Sequence, residues 1–252
     1  MSSIDEYSNV VNEFGRKAQE KLGENFASYV IFGGFARGEI ALGWSDIDSV
    51  LVVKEWSQEA KQLSDSIKAE VEQGHQWLLS HAAPTRLFVW VVDIEEFTKG
   101  GPRFISKLDL IDLKKTGKTI TGIDMTQSIS DVGLGNARDD IVKWFKFYRN
   151  ELKAMRDRTV ISKGINSVAY VITCARFSIL VKQVYVVRKE EILREFEKLY
   201  PMPELRETLY KALNYRSNWP VMSSSVDALE AFYLEALDFM DRLNSIAFED
   251  AV

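Results

Sequence analysis

The chain has 252 residues and a net charge of −5, with 46% hydrophobic and 27% charged residues. These values are typical of a globular protein with one large or two small domains, and they exclude a mainly disordered or low-complexity chain. Because the chain is acidic, it lacks the broad positive field that nonspecific nucleic-acid binding needs, so no nucleic-acid partner is expected.

The cysteine content indicates a reducing compartment. Cys174 is the only cysteine, so no intrachain disulfide can form, and a cytoplasmic location is expected. Cys174 lies in an apolar helical run and is interpreted as a core residue rather than a nucleophile. No run of about 18 apolar residues is present, and the first residues do not resemble a secretion signal, so no membrane partner is expected. The oligomeric state is left open.

Helix-like and strand-like patterns alternate in the first half of the chain. Period-3.6 spacing predicts helices, and short β-branched or aromatic runs predict strands. In chain order, the predicted elements are a helix over 4–22, strands Ala27–Phe32 and Ile47–Val53, a helix over 57–79, a strand Arg86–Asp93, a turn Lys99–Pro102, a short helix near 103–113 and a strand from Lys118 to Gly122.

The pattern becomes entirely helical after about residue 126. Helices are predicted over 138–157, 163–187, 189–199, 203–217 and 225–247. The sequence therefore predicts an α+β fold of two domains. Residues 1–126 would form a domain with a small mixed β-sheet flanked by helices, and residues 127–252 would form an all-α helical bundle.

The most informative stretch connects the first two strands. Gly33 and Gly34 end the first strand, where glycine permits positive φ and lets the backbone approach a ligand closely. Asp46 and Asp48 open the next strand and share one of its faces because side chains alternate along a strand. Each feature alone is common, since Asp-x-Asp occurs on solvent-facing strands and Gly-Gly in turns. Together, two carboxylates beside a phosphate-cradling loop suit Mg²⁺ and a nucleoside triphosphate.

This stretch resembles the signature of the polymerase-β-like nucleotidyltransferase superfamily. Phe32-Gly33-Gly34, eleven intervening residues and then Asp46-Ile47-Asp48 match that signature. The local variant looks like the small-molecule branch, whose members move AMP from ATP to a hydroxyl. The resemblance implies that Asp46 and Asp48 are catalytic and hold the metal ion. It also implies a set of nucleotide-binding residues: Gly33, Gly34, Arg37 and Ser45.

The helical half carries a second, weaker resemblance, to the bacterial streptomycin/spectinomycin adenylyltransferases. Arg176, Lys189, Pro201 and Tyr215 follow one another at spacings of 13, 12 and 14 residues, as in that family. The resemblance implies that Arg176 and Lys189 contact the ATP phosphates and that Tyr215 lies by the nucleotide, so the bundle would complete the nucleotide and acceptor site. The alternatives are a solvated helix face for the two cations and core packing for Tyr215.

Two positions depart from these families. Relatives carry a third carboxylate near the start of the strand after the Asp-x-Asp pair, where this chain has Arg86-Leu87. Asp93, at the far end of that strand, is the nearest acid and is a candidate catalytic base, although it could instead only cap the strand. Asn166 stands ten residues before Arg176, where the streptomycin enzymes carry an acid that contacts the cationic drug.

The sequence therefore predicts a nucleotidyltransferase that moves AMP from Mg·ATP to a hydroxyl of a small molecule, with an aminoglycoside-like antibiotic as the expected acceptor class. One alternative is an antitoxin-type transferase that adenylylates a protein, but minimal antitoxins lack a long helical half. Another is a catalytically impaired nucleotide-binding regulator, which the missing third acid favours.

Overall fold

The computed structural model describes residues 4–41, 43–80, 87–101, 105–186 and 188–249. The chain divides into two compact units between Gly133 and Leu134. Arg86 and Pro102, which the sequence analysis names, lie outside the described residues.

The first unit is a mixed sheet with helices on both faces. Its described strands are β1 (Phe26–Phe32), β2 (Ile47–Val53), β3 (Leu87–Asp93) and β4 (Lys118–Gly122). Its described helices are α1 (Ile4–Leu22), α2 (Gly33–Ala36), α3 (Gln58–Gly74), α4 (Ile94–Lys99) and α5 (Lys107–Thr116). The strand order is β3-β2-β1-β4, with β2 and β3 parallel and the other pairs antiparallel.

Alternation along β2 divides the core into two layers. Ile47, Leu51 and Val53 pack on the face covered by α1 and α3. Val50 and Val52 pack on the other face, with Leu110 and other apolar residues from α4 and α5. Because residues two apart in a strand share a face, Asp48 points toward the α4 and α5 side. The strand periodicity thus decides which helices approach the acid pair.

The helices follow from their apolar spacing. On α1, Tyr7, Val10, Phe14 and Ala18 recur every three or four residues, and all four are fully buried. At the start of α3, the Ser57 hydroxyl accepts a hydrogen bond from the backbone N–H of Ala60 at 3.1 Å and caps the helix.

Among the described residues of the second unit, the regular elements are all helices. Its longer helices are α6 (Arg138–Ala154), α7 (Val160–Val181), α8 (Lys189–Leu199) and α9 (Pro203–Ser217), followed by the four-residue α10 (Trp219–Met222) and the long α11 (Val226–Leu243). By length and composition α7 could cross a membrane, which the sequence analysis did not expect. However, 67% of its most apolar 18-residue window is buried inside the protein, as in the core helix of a bundle.

The α+β fold is confirmed, and most element bounds agree to within a few residues. The predicted helix over 57–79 ends earlier, at Gly74, and a separate 3₁₀ turn follows over Gln76–Ser80. Helix α4 was not predicted. It is only six residues long and follows β3 directly, so it carries too little periodicity to be recognised.

Candidate active site

The glycine loop and the acid pair meet at one edge of the sheet. Strands β1 and β2 are antiparallel, and their register pairs Phe32, the last residue of β1, with Asp48. Gly33 comes next and has φ = 68°. A Cβ added at Gly33 would lie 2.5 Å from Oδ2 of Asp48, so the backbone of the loop packs directly against the carboxylate. Glycine is required at this position by both conformation and contact.

The loop continues as one short helical turn. The N–H of Arg37 donates to the carbonyl of Gly33 at 3.3 Å, and the N–H of Glu39 donates to the carbonyl of Gly34 at 2.8 Å. The sequence-predicted nucleotide residues Gly33, Gly34 and Arg37 therefore lie in one turn beside Asp48.

Ser45 holds the segment that leads into the acid pair. It is buried, its hydroxyl accepts from the N–H of Ala41 at 2.9 Å, and its own N–H donates to the carbonyl of Ala41 at 2.9 Å. The Tyr7 hydroxyl of α1 donates to the Ser45 carbonyl at 3.1 Å. These bonds give Ser45 a role in fixing the loop before Asp46. The contribution of Tyr7 was missed because its position in α1 indicates only core packing.

The acid pair lies in a strongly negative environment. Asp46 and Asp48 are both partly buried. Burial raises the pKa of Asp48 well above its usual range, the negative charge of Asp46 raises that pKa further, and Asp109 and Asp112 of α5 add to the effect. The Arg37 guanidinium acts in the opposite direction. A cation bound at Asp46 and Asp48 would relieve this repulsion.

The donor set fits Mg²⁺ that shares its ligands with a substrate. Among the residues that the structure describes, no group of three or more His, Cys, Asp or Glu side chains is placed to hold a metal ion. Mg²⁺ is commonly held by only one or two protein carboxylates, with phosphate oxygens and water completing the octahedron. Asp46 and Asp48 can supply those two carboxylates.

Sequence reasoning missed Asp109 and Asp112. Oδ2 of Asp109 accepts from the Ser106 hydroxyl at 2.5 Å and from the Ser106 N–H at 3.2 Å in a capping box that starts α5. Asp112 lies on the next turn and is 6% exposed. The Ser-x-x-Asp pattern could have located the helix start. The pattern could not show that this helix packs on the Asp48 side of the sheet.

The structure places Asp93, a predicted catalytic residue, away from the acid pair. In the parallel register of β2 and β3, Asp93 pairs with Val53, five residues beyond Asp48, which corresponds to about 16 Å along the strands. Asp93 also caps α4, because its carboxylate accepts from the N–H of Glu96 at 2.8 Å. It belongs to the opposite end of the sheet and supports a helix.

The residue of β3 in register with Asp48 is Phe88. Its ring makes an edge contact with Trp90 at 4.8 Å between centroids. A phenyl ring can neither accept a proton nor bind a metal ion. The carboxylates of α5, rather than any residue of β3, therefore supply the additional negative charge near Asp48.

The three residues predicted in the helical half lie in the second unit. Arg176 is partly exposed on α7, and its Nε donates to the carbonyl of Val186 at 3.3 Å. Lys189 is the first residue of α8, three positions after Val186. The Tyr215 ring on α9 packs against Phe232 of α11 at 5.0 Å between centroids. The structure thus places Arg176 beside the segment that precedes Lys189, and it places Tyr215 against a core ring.

Comparisons with known proteins indicate a nucleotidyltransferase domain. Residues 12–107 match the family model of the nucleotidyltransferase domain. A stretch of 47 residues is 36% identical to a protein of Methanocaldococcus jannaschii. The name of that protein proposes that it is a protein adenylyltransferase. That match covers 19% of this chain, and the chain spans about a third (31%) of that relative's length.

A solved structure shares the fold over nearly the whole chain. It is the crystal structure of spectinomycin adenyltransferase AAD(9) from Enterococcus faecialis with ATP and spectinomycin. The TM-score is 0.67 at 14% sequence identity, and the match covers 94% of this chain and 99% of that chain. At this identity the likeness establishes the fold.

Proposed function

We propose that the protein is an adenylyltransferase that transfers AMP from Mg·ATP to a hydroxyl of a small molecule. The match of residues 12–107 to the family model of the nucleotidyltransferase domain supports this proposal. The observation that carries this proposal is the contact between the Gly33 loop and Asp48, with Asp46 two residues away. This contact places a glycine loop beside a pair of hard oxygen ligands.

Each residue of this site has a part that follows from its position. Asp46 and Asp48 would hold Mg²⁺, and Gly33 allows the phosphates to approach the backbone beside them. Arg37 would donate hydrogen bonds to phosphate oxygens, where a charged donor is worth about 1.5–3 kcal/mol. Tyr7, through the Ser45 carbonyl, keeps the segment before Asp46 in place. When bound, Mg²⁺ would orient the triphosphate and stabilise the charge that develops as the hydroxyl attacks the α-phosphorus.

The acceptor class is proposed from the whole-chain fold. Spectinomycin adenyltransferase shares both the nucleotidyltransferase domain fold and a helical half. A long helical half suits the binding of a small molecule, and the carboxylates near Asp48 suit a polyol that carries positive charge. Asn166 is neutral, and its side-chain amide donates to the carbonyl of Ser162 at 2.8 Å. The acceptor would therefore not contact an acidic side chain at this position.

The direct test combines Mg·ATP with a panel of aminoglycosides and related aminocyclitols. Pyrophosphate release that depends on one of these acceptors, together with a product heavier by one AMP, is the expected result. The Asp46→Asn variant is the matched negative control because it retains size while removing one carboxylate charge. ADP as the product would contradict the proposal, since it indicates attack at the γ-phosphorus.

Protein adenylylation is the second candidate because the relative from M. jannaschii carries that assignment. It predicts that radiolabelled AMP from ATP appears on a protein of the source cell and that aminoglycosides neither accept AMP nor compete. The first proposal predicts label on a small acceptor and no labelled protein. The same labelled-ATP experiment therefore decides between the two.

A further inference from the structure

An ion pair in the glycine loop is more buried than its position in a turn requires. Nε of Arg37 lies 3.2 Å from Oε2 of Glu39, and the two side chains are only 13% and 16% exposed. By comparison, the Arg16–Glu20 pair on α1 has side chains that are 59% and 58% exposed. Exposed pairs contribute little to stability, whereas a buried guanidinium needs partners for its donors.

The ion pair with Glu39 does not satisfy every N–H donor of the Arg37 guanidinium. Nη1 of Arg37 is buried and has no hydrogen-bond partner among the residues that the structure describes. A guanidinium carries five N–H donors in a rigid fork, so fixing Nε also fixes the direction of the remaining donors. The charge of Arg37 acts on Asp48, so the guanidinium lies close to the proposed metal site. An anionic oxygen from outside the chain would satisfy these donors.

The backbone of the turn brings the two side chains together. Gly38, between them, has φ = 75°, which reverses the chain direction. Its N–H donates to the carbonyl of Phe35 at 3.0 Å, and the next N–H, that of Glu39, donates to the carbonyl of Gly34. The turn therefore holds Glu39 against Arg37, a few residues after Gly33, which packs against Asp48.

We propose that Glu39 is a positioning residue that orients the Arg37 guanidinium so that Nη1 donates to the polyphosphate chain of the nucleotide. This inference rests on the proposed function and adds a role that charge alone would not predict. If only charge mattered, Glu39 would repel the triphosphate, and removing it would strengthen binding. If positioning matters, removing Glu39 weakens binding, because the guanidinium loses its orientation. The sign of the effect distinguishes the two cases.

The experiment measures the equilibrium affinity for Mg·ATP and, by competition, for inorganic tripolyphosphate. Arg37→Ala should weaken Mg·ATP roughly 10- to 100-fold, as expected for loss of a charged hydrogen bond. Glu39→Ala should weaken it about tenfold. Glu39→Gln retains an oxygen acceptor and should fall between Glu39→Ala and the wild type. Glu20→Gln makes the same charge change at an exposed pair and should leave the affinity unchanged.

A double-mutant cycle separates positioning from general damage to the loop. The Arg37→Ala/Glu39→Ala double variant should bind no more weakly than Arg37→Ala, because Glu39 acts only through the guanidinium. Tripolyphosphate should show the same pattern as ATP, since the adenosine is not involved. Should Glu39→Ala fail to fold, as judged by thermal unfolding, Glu39→Gln in the same cycle gives the answer.

Unchanged or tighter binding by the folded Glu39 variants would overturn the positioning role, as would additive effects in the double variant. Such results would leave the adenylyltransferase proposal intact if the wild type still binds Mg·ATP and releases pyrophosphate. A wild type that binds neither ligand would overturn both proposals.

Discussion

Gly33→Ala tests whether the loop and Asp48 form one site. The added methyl would lie 2.5 Å from Oδ2 of Asp48, while ordinary contact begins at 3.4 Å, so the carboxylate must move by about 0.9 Å. Strand β2 is paired on both sides, so its backbone cannot easily shift and the side chain must rotate instead. The positive φ adds about 1–2 kcal/mol of strain. A displacement near 1 Å costs on the order of 100-fold in turnover when it misplaces a reacting group.

Gly23→Ala is the matched control for this variant. Gly23 also has a positive φ, of 54°, but an added Cβ would meet nothing within 4 Å. Chemical denaturation should show the cost of the positive φ, about 1–2 kcal/mol, in Gly23→Ala and at least that cost in Gly33→Ala. Acceptor-dependent pyrophosphate release should fall only in Gly33→Ala. Equal activity in the two variants would refute the contact between the glycine loop and the carboxylate as a functional feature.

Three further predictions concern the acids and the second unit. Because the pKa of Asp48 is raised in the folded state, its ionised form costs stability above the ordinary Asp pKa of about 3.9. Without metal, Asp48→Asn should therefore have a higher melting temperature than the wild type at pH 7, and this difference should disappear as the pH falls to about 4. A lower melting temperature of the variant at pH 7 would contradict the raised pKa. Asp93→Ala should lose about 0.5–2 kcal/mol of stability in urea unfolding because it loses the cap of α4, and its turnover should be unchanged. A hundredfold drop in turnover would instead show that Asp93 belongs to the active site. Arg176→Ala and Lys189→Ala should each lower the affinity for Mg·ATP roughly 10- to 100-fold in direct titrations. Wild-type affinity in both variants would show that these residues of the second unit do not bind the nucleotide.

The fold was predictable because its signals are local. Strand β2 was located to the residue because a run of β-branched and apolar residues follows the acids, and α8 and α9 were located by their periodicity and their flanking prolines. The glycine loop was recognisable for the same reason, since Gly33 and the acid pair lie within one short stretch. Such patterns depend on near neighbours in the chain.

The surroundings of Asp48 depend instead on residues distant in sequence. The sequence suggested Asp93 because it is the nearest acid on the next strand, but register and helix capping assign it to the other end of the sheet. Asp112 comes close only because α5 covers the face on which Asp48 lies. Neither the parallel register of β3 nor the packing side of α5 can be read from residue spacing.

The most direct test of the central claim is the fate of α-labelled ATP in the presence of Mg²⁺ and the acceptor panel. The wild type should transfer labelled AMP to an acceptor and release pyrophosphate, and Asp46→Asn and Asp48→Asn should each lose more than nine-tenths of this activity while retaining a cooperative unfolding transition. Transfer that survives in either folded variant would contradict the assignment of the carboxylate pair as the metal site.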